Sequence, residues 1–192
     1  MQSNGRKIII AVTGASGAIY AKLLLEKLTQ LDTPPEEIAT IFSEMAKEIW
    51  ADEIGGTFKA APPVKEYSNN SFFAPFASGS SSYDTMIICP SSMGTIGRIA
   101  NGISNDLITR SADIVLKERR KLIIIPRETP YNLIHIENLK TLTLAGAIIC
   151  PASPSFYSHP GSVNDLVMTV VNRIIDLSGF ENNNFNRWME ND

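Results

Sequence analysis

Gly14-Ala15-Ser16-Gly17 joins an apolar run ending at Val12 to a helical pattern that reaches about residue 30. A strand, a small-residue turn and a helix make an anion site. The helix N-terminus carries unpaired N–H groups, and the lack of bulky side chains lets a phosphate approach. A second loop of this kind, Ser92-Met93-Gly94-Thr95 within CPSSMGTIGR, follows a later apolar run, and Ser43 stands at the tip of another. Ser16, Ser43, Ser92 and Thr95 together suit a ribityl chain and one phosphate. Each hydroxyl alone is also explained as a helix cap.

A dinucleotide is the usual ligand of such a turn, but the residues do not follow its fingerprint. That fingerprint is G-x-G-x-x-G, with an acidic residue ending the second strand to hold a ribose hydroxyl. Here only Gly14 and Gly17 are present, Ile19 and Tyr20 stand where a third glycine would fall, and the second strand tip is Ser43. No tyrosine has a lysine four residues on, as a short-chain dehydrogenase would need. A mononucleotide fits two facing small-residue loops better.

Apolar, β-rich runs at 7–12, 38–42, 85–89, 121–125 and 147–150, with a weaker one near 64–67, must position these loops. Helical patterns lie between them at about 17–30, 43–53, 94–103, 106–119, 132–145 and 162–177. Near-continuous apolar strands alternating with helices predict a parallel sheet covered on both faces. Right-handed crossovers make it a three-layer, doubly wound, Rossmann-like α/β fold. The order reverses beside the first strand, so the two loops are expected to face each other there. One domain covers 1–192, with the polar tail 181–192 expected to be partly flexible. Residues 55–82 are irregular, and the phenylalanines of FFAPFASGSSS predict docking onto something.

Composition narrows the function. The 192 residues carry a net charge of -3, which gives no electrostatic case for nucleic acid. The apolar run after Arg6-Lys7 has the length of a strand, so neither a signal peptide nor a membrane span is expected. Two cysteines, Cys89 and Cys150, each precede a proline and are expected to be reduced, in the cytoplasm. With only two histidines and neither CxxC nor HxxxH, no metal site is expected. There is no G-x-S-x-G hydrolase elbow.

In their order and spacing, TGASGAIY, ASGSS, CPSSMGT, LKERRKLIIIPRETP, IHIENL and SPSFYSHP resemble the UbiX-type flavin prenyltransferases, over about residues 7–188. The resemblance implies a flavoprotein-type sheet and no metal. It implies transfer of a dimethylallyl group from dimethylallyl monophosphate to N5 and C6 of reduced FMN, giving prenylated FMN for a UbiD-type decarboxylase. It also implies a homo-oligomer, a dodecamer in that family. Carried over by position, FMN-binding residues are Gly14, Ala15, Ser16, Ser43, Ser92, Met93, Gly94, Thr95 and Arg127. The prenyl phosphate falls to Arg110, Lys117, Tyr157 and Arg173, at a site completed across subunits. Ser16, Glu53 and Glu128 match residues implicated in proton handling, and Lys117 joins them as catalytic. The chain departs from the family at Phe72 or Phe73, where many members have Trp, and at Ser91, where many have a second cysteine.

The chemistry suits these residue types. An allylic phosphate ionises when its leaving group is stabilised, and fixed cations and hydroxyls supply that without a metal. Aromatic side chains shield the allylic cation, and a carboxylate accepts the ring proton lost at C6. From periodicity alone, Arg110 and Lys117 lie on a solvated helix face opposite Ile108, Ala112 and Val115. Two alternatives stand beside this reading. One is an FMN-dependent cysteine decarboxylase, although PASPSFY lacks that group's asparagine and GASGAIY its histidine. The other is a non-catalytic flavin carrier.

Overall fold

A computed structural model of the chain describes residues 5–182. Six parallel strands form one sheet: β1 (Lys7–Val12), β2 (Glu37–Phe42), β3 (Val64–Ser68), β4 (Tyr83–Ser91), β5 (Lys121–Pro126) and β6 (Ile148–Ile149). Their order is β3-β2-β1-β4-β5-β6, so the doubly wound expectation holds and the order reverses beside β1. In β1 and β5, every residue after the opening lysine is buried. That two-sided burial is why these strands read as continuous apolar runs rather than alternating ones.

Helices α1 (Ala18–Thr29), α2 (Glu44–Trp50), α3 (Met93–Ala100), α4 (Leu107–Lys117), α5 (Leu133–Leu144) and α6 (Val163–Ser178) complete the layers. Leu24, Leu28, Val171 and Ile174, from α1 and α6, pack with Ile8, Ile10 and Ile123 of the sheet. Ile96, Ile108, Ala112, Val115 and Leu142 cover Ile9, Ala11, Met86 and Ile124 on the other face. Helix α4 buries the predicted stripe and leaves Arg110 paired with Asp113 at 3.6 Å.

Three expectations change in detail. The strand near 64–67 is a true edge strand, paired with β2 over Val64–Ser68. The strand at 147–150 shrinks to two residues. The helix predicted over 43–53 stops at Trp50 and continues as a π-turn over Ala51–Gly55. Buried Trp50 packs edge-on against Phe42 at 5.5 Å and against Phe58 at 5.3 Å. The turn is thus pinned on both sides, which fixes where Glu53 points.

In the loop rich in phenylalanine, Phe76 is core, edge-on to Tyr67 and Tyr83. Phe72 and Phe73 are exposed. Most of the tail 181–192 lies outside the described residues. None of the described helices is long and apolar enough to cross a membrane.

Candidate active site

The two small-residue loops meet at the reversal point, joined by a residue the sequence reading passed over. Thr13, buried at the end of β1, accepts the Ser92 backbone N–H on Oγ1 at 2.8 Å. Its hydroxyl donates to the Pro90 carbonyl at 3.1 Å, and its own N–H reaches the same carbonyl at 3.2 Å. Arg127 makes a second link. Its backbone N–H donates to Ser91 O at 3.3 Å, and its Nε donates to Ser16 O at 2.8 Å. The Ser43 N–H donates to Val12 O at 3.0 Å, which brings the β2 tip to the same crevice.

The helix-cap reading of two hydroxyls is correct within the chain. Ser43 Oγ accepts the Ala46 N–H at 3.1 Å, and Ser92 Oγ accepts the Thr95 N–H at 3.3 Å. Capping uses the oxygen as acceptor, so the Ser43 O–H still has its proton to donate to a phosphate. Ser92 and Thr95 Oγ1 also share a bond at 3.1 Å. A Cβ placed on Gly94 would meet no protein atom within 4 Å, so this face of α3 is open to a ligand. On Gly14 a Cβ would come within 2.8 Å of Met45 Cγ, and Met45 is itself exposed over the loop. Gly17 has φ +105, a left-handed turn that opens α1 and that side chains rarely adopt.

The α1 N-terminus holds an anion of the chain's own. Glu53 accepts the Gly17 N–H at 2.8 Å and the Ala18 N–H at 2.7 Å. Burial pushes this carboxyl up. The Ser16 hydroxyl, the Ala18 and Gly17 N–H groups and the Arg127 charge outweigh it, so the carboxyl titrates below its ordinary value. Glu53 is therefore held in its ionised form, with Ser16 beside it. This carboxylate sits on the N–H groups where the sequence suggested a phosphate. Sequence patterns gave no sign of it, because the contact joins residues 36 apart through the π-turn.

The remaining assigned residues spread further. Glu128 and Arg127 line a cavity of about 430 Å³ with Tyr131 and Ser153, beside the crevice. Glu128 Oε1 accepts the Thr129 N–H at 3.0 Å. Tyr157 lines a separate cavity of about 280 Å³ with His159, Asp165, Thr169 and Asn172. Arg173 is exposed on α6, and its charge opposes the upward push of burial on the Cys150 thiol. Cys89 is fully buried; burial first, and then Cys150, push its thiol well above the ordinary range. Neither cysteine is in a disulfide.

Lys117 ends α4, just before β5 begins, so within one chain it lies at the opposite end of the sheet from Gly14–Gly17. There it pairs with Glu118 at 2.5 Å. Arg110 lies on the same helix, one turn in from its start. A single chain therefore does not bring Lys117 to the crevice. No group of three or more His, Cys, Asp or Glu that could hold a metal occurs among the described residues.

Fold and crevice together define a mononucleotide-binding protein of the doubly wound class. The sequence profile of the family described as Flavoprotein matches residues 1–175, and the chain belongs to this family, among its UbiX flavin prenyltransferases. The flavin prenyltransferase UbiX of Methanocaldococcus jannaschii is 47% identical, covering 95% of this chain and 98% of its own. Two solved structures agree. AnUbiX (PadA1), in complex with FMN and dimethylallyl pyrophosphate, superposes with a TM-score of 0.87 at 37% identity, over 96% of this chain and 98% of its own. A dodecameric FMN-dependent UbiX-like decarboxylase from Escherichia coli O157:H7 gives 0.86 at 36% identity, over 95% and 98%.

Proposed function

We propose that the chain transfers a dimethylallyl group from dimethylallyl monophosphate to N5 and C6 of reduced FMN, making prenylated FMN for a UbiD-type decarboxylase. The observation that carries this reading is the Glu53 carboxylate, seated on the Gly17 and Ala18 N–H groups beside Ser16, at two loops that Thr13 and Arg127 lock together. An ionised carboxylate beside a serine hydroxyl is a base with a relay, as removal of a ring proton requires.

Each part of the chain has a defined task. Arg127 and the O–H of Ser43 provide donors for the flavin's phosphate, and the Gly94 face leaves it room. The backbone around Ala15, Met93 and Thr95 shapes the crevice, whose side chains there are buried. Reduced flavin would supply the nucleophilic N5 and C6. Tyr157 and Arg173 hold the leaving phosphate, and Arg110 and Lys117 reach it from a neighbouring copy. Stabilising that anion speeds breakage of the allylic C–O bond. Glu53, through Ser16, and Glu128 accept and return protons. Phe72 and Phe73, exposed in one chain, shield the cation once a neighbour covers them.

The protein works as a homo-oligomer, a dodecamer like its E. coli relative, in a reducing cytoplasm that keeps Cys150 a thiol. The deciding experiment is anaerobic incubation with reduced FMN and either dimethylallyl monophosphate or dimethylallyl pyrophosphate, followed by mass spectrometry of the flavin. Flavin gaining one dimethylallyl unit from the monophosphate supports the reading. Flavin bound but unmodified with both donors identifies a carrier instead.

A further inference from the structure

Helix α5 has apolar residues on both sides. Its inner side chains, Leu139 and Leu142, pack on the core. Its outer side carries Leu133 at 71% exposure and Leu144 at 80%, flanked by Ile134 and Ile136. Exposed apolar patches of this kind on a folded surface mark interfaces.

We propose that the outer face of α5 pairs antiparallel with the same face of a second copy across a two-fold axis. The inference rests on the homo-oligomer reading above. The argument for a second copy is the spacing of charge along the helix. Glu137 and Lys140 sit between the two leucines and pair within one helix at 3.1 Å. A two-fold that sets Leu133 of one copy against Leu144 of the other also sets Glu137 against Lys140, twice. Apolar ends and charged centre are thus self-complementary in one register, which is the requirement of an isologous contact. The chain's own tail is a poorer occupant. The described chain ends at Asn182, hydrogen-bonded to Asn172 of α6, on the opposite face of the sheet.

The test uses the full chain. Wild-type mass by light scattering checks the assembly itself. E137K places like charges together across the axis, and the species should dissociate at protein concentrations at least about tenfold higher. E137K/K140E restores the opposite-charge pairing and should restore the wild-type mass. Under mild oxidation, L133C/L144C should give a cross-linked dimer on a denaturing gel, while L133C, L144C and wild type should not. Far-UV circular dichroism confirms that each variant is folded. An oligomeric wild type whose mass E137K leaves unchanged, or equal cross-linking in the single variants, overturns this face alone. A monomeric wild type overturns the assembly reading and this proposal with it.

Discussion

Thr13 and Ser92, 79 positions apart, are joined by a 2.8 Å hydrogen bond from the Ser92 backbone N–H to the Thr13 hydroxyl. That bond holds the first-strand loop against the fourth-strand loop. Thr13→Val keeps the shape but leaves a part-buried N–H without its partner. The expected cost is about 1–3 kcal/mol of stability, with weaker FMN binding. Thr13→Ser retains the oxygen and should recover most of both. Thermal melts and FMN titration of the two variants read this directly, and equal behaviour of Val and Ser would refute the role.

Glu53→Gln keeps the backbone contacts and removes the base. FMN affinity should hold within a few-fold, while single-turnover prenylation falls roughly 100-fold or more. Ser16→Ala should fall in the same direction, and the double variant should be little worse than either alone, because the two act as a unit. Additive losses would mean that the pair does not work as a relay.

Gly94→Val separates the ligand from the fold. A Cβ added there meets no neighbouring atom within 4 Å, and within α3 the change removes glycine's entropic penalty of roughly 0.5–1 kcal/mol, part of which a β-branched valine gives back. The melting temperature should therefore hold or rise. FMN binding should fall sharply, because the flavin needs that space. A variant that binds FMN normally would move the crevice elsewhere.

Arg173→Ala, Lys117→Ala and Tyr157→Phe test the leaving phosphate. Losing one donor at a developing anion costs about 100-fold or more in rate. FMN titration should be nearly unchanged, because its phosphate is assigned to other residues. Lys117→Ala is the more telling of these variants, since only a neighbouring copy can bring it near. Prenylation at the wild-type rate in Lys117→Ala would remove it from the site.

Acid stability follows from four carboxyls. Burial pushes each of Glu37, Glu53, Asp84 and Asp106 up, and bonded donors pull each further down, below the ordinary 4.5 for Glu or 3.8 for Asp. Such groups add stability that is fully present above the ordinary values. It is lost as pH falls through the lowered ones. Melting temperature should be flat from neutral pH to about pH 5 on this account and drop below it. Asp106 caps α4 and meets Arg98 at 2.6 Å. Asp106→Asn should flatten that drop, and an unchanged acid profile would contradict the linkage.

The sheet was legible because Ile8–Val12 and Leu122–Ile125 are buried on both faces, and two-sided burial leaves a continuous apolar run. The loops were legible because phosphate sites require small residues. Glu53 was matched by position, but its seat on Gly17 and Ala18 was not legible, since it depends on a π-turn pinned by Trp50 and Phe58. Thr13 looked like any strand-end threonine. The outer apolar face of α5 was hidden in sequence for a different reason: with both sides apolar, no single stripe stands out. The proposed role of Lys117 needs a neighbouring chain, which no pattern within one sequence displays.

The carboxylate seated on α1 also bears on the order of events in the life of the protein. Many nucleotide-binding turns meet their first counter-charge when the nucleotide arrives. Here the helix end already carries a counter-charge from residue 53 of the same chain, so the first turn of α1 has its partner before any ligand's anion arrives.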